Sequence, residues 1–357
     1  MRQTLIRIRL DELWLFGPVD DTTAVGGGYF LLAWVAYGLW WWFRHAGSPA
    51  AKRFNPFVIG ITAVILSGPL WAARAIPNGM PIYGYGFMLF LGLLMAGWSA
   101  ARRACRVGLS GKGATKDVEI IWDLAVWIFF AGIVGARLFY VVQYHERVFG
   151  GKAGWELVQA AVNLPDGGLV FYGGMIMATL AYAVFCYVKQ IKALLLADVI
   201  VPAAFIGLAF GRLGCFLNGC CYGDRCELPW GVTFPHESVP FVALVNRGFL
   251  DPQAAVSLAL HPTQIYSALN AIVLAFLTGA YFKYRYRDGA VLALGMIAYP
   301  VTRFVIEFLR GDELGQFNTA FTISQWVSMG LFSAGLLFLI WLTTRHSIPS
   351  MRPKSSG

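Results

Sequence analysis

The chain has 357 residues, of which 58% are hydrophobic and only 13% are charged, whereas a soluble globular domain carries about 25% charged residues. Together with a mean hydropathy of +0.61, this composition excludes an ordinary soluble protein and predicts a polytopic membrane protein. The formal net charge is +9. In a membrane protein, excess Lys and Arg marks cytoplasmic loops and contacts with anionic lipid headgroups, so the charge does not predict nucleic-acid binding.

Apolar windows long enough to cross a bilayer, roughly 20 residues each, predict about nine transmembrane helices in an all-α fold. They fall at about 26–43, 57–76, 84–104, 122–144, 170–189, 194–216, 264–283, 289–309 and 320–343. Residues 1–16 are basic and partly apolar, and they lack the long apolar core and the cleavage site of a signal peptide. We expect them to form an amphipathic segment at the membrane interface.

The distribution of basic residues orients these spans. The connections that follow the first, third, fifth, seventh and ninth spans hold more Lys and Arg than the other connections. The positive-inside rule therefore predicts an extracytoplasmic N-terminus and a cytoplasmic C-terminus. The two longest connections, about 145–169 and 217–263, then lie outside. Several prolines in the second predict a structured or partly re-entrant loop rather than a flexible linker.

The stretch from Gly211 to Gly223 carries the strongest sign of a functional site. It places Arg212 near the end of the sixth predicted span, where no acidic residue lies within helical reach. A cation at membrane depth costs several kcal/mol, so it marks a functional site by default. The glycines permit close backbone approach, and Asn218 adds an amide. This stretch predicts a phosphate or carboxylate site at the edge of the bilayer.

A second charged group lies in the eighth predicted span. The spacings between Arg303, Glu307 and Arg310 place all three side chains on one helical face. One interpretation is a structural Arg–Glu pair, with Arg310 reaching towards the interface. The functional interpretation is that Glu307 holds one arginine while another remains available to an anionic ligand.

Arg137 is the third intramembrane arginine, and Tyr140 and Tyr144 follow it on the same helical face. Taken alone, this segment favours an interfacial anchor over a site. The guanidinium fork binds phosphate bidentately. We therefore expect Arg137, Arg212 and Arg303 to converge on a phospholipid headgroup near the extracytoplasmic surface.

Polar and aromatic residues open three other spans. His261 and Gln264 begin the seventh span, and for a lone histidine a core or capping role is favoured over a functional one. Tyr85 and Tyr172 begin the third and fifth spans, where a tyrosine ordinarily belongs to the aromatic belt. The paired glycines after Tyr172 allow another backbone or an acyl chain to approach closely.

The cysteines fall into two groups. Cys105 and Cys186 have the pattern of buried apolar residues, and the others are Cys215, Cys220, Cys221 and Cys226. For this second group a zinc site lacks a C-x-x-C pair and has only His236 nearby. A disulfide from Cys220 or Cys221 to Cys226 is favoured over zinc on the oxidising side. Plain packing is as well supported as both together, and a catalytic thiol is the least favoured interpretation.

Five segments, in this order, resemble the bacterial phosphatidylglycerol–prolipoprotein diacylglyceryl transferase family. They are Tyr85-Gly86; Gly135, Arg137 and Tyr140; Gly211-Arg212-Leu213-Gly214 with Asn218, Gly219 and Gly223; His261, Pro262, Gln264 and Tyr266; and Arg303, Glu307, Phe308 and Arg310. The resemblance covers about residues 81–345, which hold seven of the nine predicted spans, the family's number. The chain departs from the family at Tyr172, Cys215, Cys220 and Ser267, where the family has a histidine, an asparagine, an acid and a glutamate.

The resemblance implies three regions. Residues 1–80 hold the interfacial segment and two extra transmembrane helices, residues 81–345 form the transferase-like membrane domain with the extracytoplasmic loop 217–263, and residues 346–357 form a cytoplasmic tail. It also implies a multi-pass protein of the bacterial cytoplasmic (inner) membrane, with its active site towards the extracytoplasmic side.

The implied reaction transfers a diacylglyceryl group from phosphatidylglycerol to the lipobox cysteine thiol of a preprolipoprotein, and glycerol phosphate leaves. The implied partners are phosphatidylglycerol, preprolipoprotein signal peptides and the membrane bilayer; no nucleic acid, metal or cofactor is expected. Catalysis would then rest mainly on positioning and on stabilising the leaving phosphate.

The resemblance also assigns roles to residues. Arg212 and Arg303 would stabilise the phosphate, and Arg137 would bind the headgroup. Glu307 would position an arginine. Candidates for deprotonating the acceptor thiol are Tyr172, Tyr85 and His261, although a tyrosine of ordinary pKa near 10 is a poor base at neutral pH without arginine neighbours. The remaining expected substrate contacts are Tyr140, Asn218, Gly219, Gly223, Gln264 and Arg310.

Two other functions stay open. The departures at positions 172, 215, 220 and 267 favour a family paralogue that acts on another lipid or acceptor. Glycine-rich helices and intramembrane arginines also suit a non-enzymatic phospholipid-binding or transport protein, although no inverted repeat supports transport. An enzyme yields a mass-shifted peptide and free glycerol phosphate, whereas a transporter only redistributes intact lipid.

Overall fold

The computed structural model of the chain describes residues 4–9, 16–19, 22–26, 80–110, 113–151, 153–162, 170–310 and 318–344, with isolated positions 29, 32, 36, 168 and 316. Its strands are β1 (Thr4–Arg9), β2 (Phe16–Val19), β3 (Thr22–Gly26) and β4 (Met80–Tyr83). Its helices are α1 (Gly84–Val107), α2 (Ala114–Gln143), α3 (His145–Phe149), α4 (Trp155–Val162), α5 (Phe171–Lys189), α6 (Ala193–Asn218), α7 (Val239–Asn246), α8 (Thr263–Tyr281), α9 (Ala290–Glu307) and α10 (Ile323–Thr344).

Seven of the described helices are long and apolar enough to cross a membrane: α1, α2, α5, α6, α8, α9 and α10. They coincide with the last seven predicted spans and confirm a polytopic, mostly helical membrane protein. The first two predicted spans, at about 26–43 and 57–76, lie outside the described residues apart from isolated positions. The count of nine therefore stays a prediction.

A small sheet departs from the all-α prediction. Its four strands lie in the order β2-β3-β1-β4, with β1 parallel to β3 and antiparallel to β4. Strand β1 takes up six residues of the segment 1–16, which we expected to be an amphipathic interfacial stretch. Its sequence alternates, with Ile6 and Ile8 on one face and Arg7 between them on the other. This period of two, typical of a strand, is the signal that the composition-based interpretation missed.

The chain divides into two compact units. The first comprises residues 1–91, 210–265 and 310–312, and the second comprises residues 92–209, 266–309 and 313–357. In the second unit, side chains of Ala104, Leu124, Phe185, Leu196 and Val291 belong to one buried apolar cluster. This core therefore joins the C-terminal halves of α1 and α5 to the N-terminal halves of α2, α6 and α9.

Glycines allow α2 and α5 to pack with their backbones close together. A Cβ added at Gly173 would lie 2.5 Å from the Gly135 carbonyl oxygen, and one at Gly174 would lie 3.0 Å from the Gly132 carbonyl oxygen. Close approach of small residues is the usual way in which membrane helices gain van der Waals contact. The paired glycines after Tyr172 thus admit another backbone, one of the two partners predicted for them.

A buried aspartate from α6 caps the start of α9. Asp198 accepts hydrogen bonds from the backbone N–H groups of Gly289 (2.8 Å) and Leu292 (2.9 Å), and Arg285 lies 3.6 Å from its carboxylate. The first N–H groups of a helix have no partner within the helix, and its N-terminus favours negative charge. The aspartate therefore fixes the end of α9 opposite the one that carries Arg303.

In the first unit, the loop between α6 and α8 is structured, as predicted. Tyr222, Phe234, Leu244 and Leu260 form a buried apolar cluster within it. Short antiparallel bridges connect residues 225–235 to residues 256–260, so hydrogen-bonded backbone rather than flexible linker follows the Gly211–Gly223 stretch.

Candidate functional site

Arg212 lies six residues before the end of α6 and is half-buried. Its guanidinium forms no hydrogen bond or ion pair with any residue that the structure describes. A partly buried charge without a counter-charge is costly, and an anion bound by the guanidinium fork would offset that cost. Among the three predicted arginines, Arg212 is therefore the one whose donors remain available to a ligand.

A tight turn follows Arg212 and ends helix α6. Gly219 adopts φ +78°, and its N–H donates to the Phe216 carbonyl, while the Cys220 N–H donates to the Cys215 carbonyl. A left-handed glycine after the last helical residue is the commonest way to end a helix. Gly219 is buried, so its position is explained by the turn, and its contact with a substrate stays a prediction. Asn218, the last residue of α6, is half-buried beside it.

The start of α8 holds this turn in place. The Gln264 side chain donates from Nε2 to the Cys220 carbonyl, and Thr263 donates from Oγ1 to the Cys221 carbonyl, both at 2.8 Å. Each of these polar side chains is only 1% exposed. Gln264 Oε1 is also buried and accepts no hydrogen bond from the described residues. Gln264 was predicted as a site residue from the sequence, but its hydrogen bond to the Cys220 carbonyl was not.

Backbone bonds connect two further predicted site residues. The Gly223 N–H donates to the His261 carbonyl, and the His261 N–H donates to the Asp224 carbonyl, each at 2.9 Å. His261 is half-buried. Tyr85 packs against α6, where a Cβ added at Gly214 would lie 3.1 Å from its ring. The first unit therefore brings together Tyr85, the Gly211–Gly223 stretch, His261 and Gln264.

The cysteines of the turn form a cluster. The sulfur atoms of Cys215, Cys220 and Cys221 all lie within 4.8 Å of one another. Hydrogen bonds from the Cys215 and Cys221 side chains lower the pKa of the Cys220 thiol well below its usual value. Cys226 is not part of the group; its N–H donates to the Ala259 carbonyl, and the residue is buried.

All six cysteines are free thiols, so the predicted disulfide from Cys220 or Cys221 to Cys226 is wrong. The turn that follows Gly219 instead brings the sulfur atoms of both cysteines within 4.8 Å of that of Cys215.

In the second unit, Arg303 and Glu307 form a buried ion pair. Arg303 Nη1 lies 2.6 Å from Glu307 Oε2, and Arg303 Nη2 donates to Ser324 Oγ at 3.0 Å. The other Glu307 oxygen accepts a 2.9 Å hydrogen bond from Thr322. Arg303 is 8% exposed and Glu307 is 2% exposed. The predicted contact between these two side chains is confirmed, and it joins α9 to the start of α10.

Arg310 does not share the helical face of this pair. Helix α9 ends at Glu307, residues 308 and 309 form a turn, and Arg310 follows outside the helix as a half-buried residue. The prediction that one helix carries all three charges is wrong, because the helix stops too early. Phe308 and Leu309, which are exposed apolar residues, occupy the positions where a further helical turn was expected.

Arg137 donates to three backbone carbonyls. Its Nε bonds to Ala161, its Nη2 to Ala160 and its Nη1 to Gly168, at 2.8, 2.7 and 3.1 Å. The first two acceptors belong to the last turn of α4, where carbonyls have no partner within the helix. This geometry matches the interfacial anchor that the segment alone favoured, and a headgroup contact of Arg137 stays a prediction.

Tyr140 and Tyr172, two predicted site residues of the second unit, occupy different surroundings. The Tyr140 ring packs over Gly168 and lies 5.0 Å from the Tyr144 ring, with the Arg137 guanidinium 5.2 Å from its centre. Tyr172, at the start of α5, is 44% exposed. Tyr140 is thus part of the α4 anchor, whereas Tyr172 stays accessible.

A shallow apolar groove runs along α9 and α10. Its lining residues are Pro300, Val301, Phe304, Val305, Ser328, Met329 and Phe332, and its volume is about 260 Å³. Pro300 and Phe304 flank Arg303 in sequence, so a hydrocarbon-lined surface lies next to the buried ion pair.

Arg137 and Arg303 belong to the second unit and Arg212 to the first. The convergence of the three guanidinium groups on one headgroup therefore stays a prediction. The sequence did not predict two features of the site. One is the proximity of the Cys215, Cys220 and Cys221 sulfurs, and the other is the contact of the Thr322 and Ser324 hydroxyls with the ion pair. The C-x₄-C-C spacing after Gly-Arg was the only available sign of the first.

Comparison with known proteins covers most of the chain. A family model described as prolipoprotein diacylglyceryl transferase matches residues 72–341. A phosphatidylglycerol–prolipoprotein diacylglyceryl transferase from Rhodopirellula baltica is 29% identical and aligns over 88% of this chain and 84% of its own length. Proteins of the same name from Clostridium tetani and Finegoldia magna are 32% and 30% identical, over 72% and 73% of this chain and 92% of each relative. The chain therefore belongs to the prolipoprotein diacylglyceryl transferase family.

Proposed function

We propose that this membrane protein transfers the diacylglyceryl group of phosphatidylglycerol to the cysteine thiol of prolipoproteins. Family membership and the names of its relatives support the reaction. The structural observation that carries the proposal is the half-buried Arg212, which has no ionic partner among the described residues and stands in the family's Gly-Arg segment.

The reaction is a displacement at the glyceryl carbon that bears the phosphate. The acceptor thiolate forms the S–C bond, the C–O bond to phosphate breaks, and glycerol phosphate leaves with the electron pair. Negative charge develops on the leaving phosphate, so preorganised donors aimed at that group lower the barrier most effectively. We assign this task to Arg212, whose guanidinium donors are available.

Arg303 supports the same phosphate from a fixed position. Its ion pair with Glu307 and its bond to Ser324 hold the guanidinium plane, and a rigid donor costs little reorganisation during the reaction. Successive membrane crossings alternate in direction, so the ends of α6 and α9 that carry Arg212 and Arg303 fall on the same side of the membrane. The apolar groove next to Arg303 suits an acyl chain of the lipid.

We assign this side to the extracytoplasmic face of the bacterial inner membrane, where the lipobox of an exported prolipoprotein becomes accessible. The bias of Lys and Arg between alternate connections supports this orientation. The starts of α1, α5 and α8 fall on the same side, so Tyr85, Tyr172 and His261 are candidates for accepting the thiol proton there. We also assign contacts with the headgroup to Arg137, Tyr140 and Arg310.

The test is a transfer assay with full-length protein in detergent, labelled phosphatidylglycerol and a peptide that contains a lipobox cysteine. We expect a mass-shifted peptide and an equal amount of glycerol phosphate. Loss of a bidentate phosphate contact in Arg212→Ala should lower kcat/KM by about 10²- to 10⁴-fold, since each hydrogen bond to a charged group contributes about 1.5–3 kcal/mol.

The matched control is Arg247→Ala, which removes an exposed arginine at the end of α7 in the same loop. Its activity should equal that of the unaltered protein. Full activity of Arg212→Ala, or redistribution of intact lipid without any thioether product, would refute the proposal.

A further inference from the structure

The three clustered thiols come from two adjacent elements. Cys215 lies in the last turn of α6, and Cys220 and Cys221 lie in the turn that follows. All three are partly accessible, and their sulfur atoms lie within 4.8 Å of one another. The family has an asparagine and an acid where this chain has Cys215 and Cys220, so the function proposed above does not account for the cluster.

The turn is held in this shape by independent contacts. Cys221 adopts φ +59°, a left-handed conformation that costs a residue with a Cβ roughly 1–2 kcal/mol. Such strain persists only where the surroundings impose it, and it concentrates at functional sites. Here the buried side chains of Thr263 and Gln264 bind the carbonyls of Cys221 and Cys220. The sulfurs are therefore brought together by a built turn rather than by chance contact.

The donor set selects a soft metal ion. The group consists of three sulfurs and includes no imidazole or carboxylate, and thiolates favour ions such as Zn²⁺ and Cu⁺ over harder cations. A Zn–S bond of about 2.3 Å places tetrahedral sulfur ligands about 3.8 Å apart. The cluster thus needs to contract by at most about 1 Å, which is within reach of small side-chain rotations.

Three protein ligands leave one position of a tetrahedral zinc ion open, which is the arrangement of catalytic rather than structural zinc. Arg212 precedes Cys215 by three residues on α6, so the two side chains are neighbours on one helical face. The open position therefore lies beside the residue to which we assign the phosphate of the lipid.

We propose that Cys215, Cys220 and Cys221 bind a Zn²⁺ ion whose open position takes the thiol of the incoming lipobox cysteine. This inference rests on the transferase function proposed above and deepens it. A thiol bound to zinc is deprotonated, and its proton passes to solvent water. The bound thiolate then attacks the glyceryl carbon, and the S–C bond forms as the C–O bond to the leaving phosphate breaks.

The zinc would ionise the acceptor thiol. It would thereby replace a base at position 172, where this chain has a tyrosine instead of the family's histidine. A free thiol has a pKa near 8.5, so only about 3% of it is ionised at pH 7. Complete ionisation on the metal would raise the thiolate fraction about 30-fold, and part of this gain is offset because a metal-bound thiolate is less nucleophilic. We therefore expect the zinc to increase the rate about tenfold at pH 7.

The first measurement is metal binding by the full-length protein in detergent, purified under reducing conditions. We expect one zinc ion per chain, and we expect Cys220→Ser to bind zinc at least about 100-fold more weakly because it lacks a ligand. Cys105→Ser removes a thiol of helix α1 outside the cluster and should bind zinc normally. Size-exclusion chromatography and thermal unfolding of each variant separate loss of the metal from loss of the fold.

The second measurement replaces zinc with Co²⁺, whose thiolate charge-transfer absorption reports each sulfur ligand. A lipobox peptide with cysteine should increase this absorption, and the same peptide with serine should not. The deficit in transfer rate of Cys220→Ser should also shrink as pH rises above 8.5, where the acceptor thiol ionises unaided. A merely structural role of the cluster would produce neither result.

Several outcomes would overturn this inference while leaving the transferase function intact. They are full activity of protein that contains no metal, exclusive binding of Cu⁺, or a disulfide among the three cysteines in the active protein. A Co²⁺ charge-transfer absorption that does not change when the cysteine peptide is added would also overturn it. Absence of transfer by zinc-loaded protein with normal metal binding would instead count against the function itself.

Discussion

The buried ion pair of Arg303 and Glu307 can be tested by removing each charge alone and then both charges together. We consider the single variants Arg303→Met and Glu307→Met and the double variant that combines them. Methionine fills a similar volume without charge, so each single variant leaves one ion buried and the double variant leaves none. Removing one partner of a buried pair costs about 3–5 kcal/mol, whereas replacing both is often neutral or stabilising.

The cost of Arg303→Met has a ceiling set by protonation. A glutamate in water has a pKa near 4.3, so protonating such a carboxylate costs about 3.7 kcal/mol at pH 7 and about 1 kcal/mol at pH 5. An arginine cannot lose its proton in this range. In Glu307→Met the buried Arg303 therefore stays charged. This variant also removes the acceptor of the Thr322 hydrogen bond, which contributes about 1 kcal/mol.

The assay is reversible unfolding in mixed detergent micelles at pH 7 and pH 5. At pH 7 we expect Glu307→Met to lose about 3–5 kcal/mol and Arg303→Met to lose no more than about 3.7 kcal/mol. The double variant should lose less than either, and Arg303→Met alone should recover at pH 5. Additive losses in the double variant, or equal recovery of both single variants at pH 5, would refute the buried pair as the source of the effect.

Three further variants test other parts of the structure. Arg212→Lys keeps the charge but loses the guanidinium fork, so we expect kcat/KM to fall by about 10-fold or more while the unfolding temperature stays unchanged; a matching fall in stability would show that Arg212 is structural. Arg137→Ala leaves carbonyls at the end of α4 without donors, so amide hydrogen exchange in residues 155–162 should accelerate, and unchanged exchange would contradict the anchor. Gly173→Ala places a Cβ against the Gly135 carbonyl oxygen, at 2.5 Å. It should destabilise the α2–α5 contact by about 1–3 kcal/mol, which a normal melting temperature would disprove.

Hydropathy predicted the seven described spans because a bilayer imposes one simple condition, an apolar run of sufficient length. The same condition explains why Arg212, Arg303 and Glu307 were evident, since charges inside such runs stand out. The contact between Arg303 and Glu307 followed from helical spacing alone.

Features that depend on the path of the backbone were not predictable in this way. Arg310 was placed on a helix that in fact ends at Glu307, because no glycine or proline marks that end. The cysteine pairing was wrong because it depends on left-handed residues at Gly219 and Cys221. The role of Arg137 depends on the end of α4, a short helix that hydropathy does not detect.

The sheet formed by the N-terminal strands has a consequence for topology mapping. An open sheet cannot lie in hydrocarbon, because its edge N–H and C=O groups would lack partners. Strand β1 pairs with β4, and β4 leads directly into α1 at Gly84. A protease site or fluorescent reporter inserted just before β1 would therefore report the side of the membrane from which α1 enters, and a single accessibility measurement would orient the first described crossing.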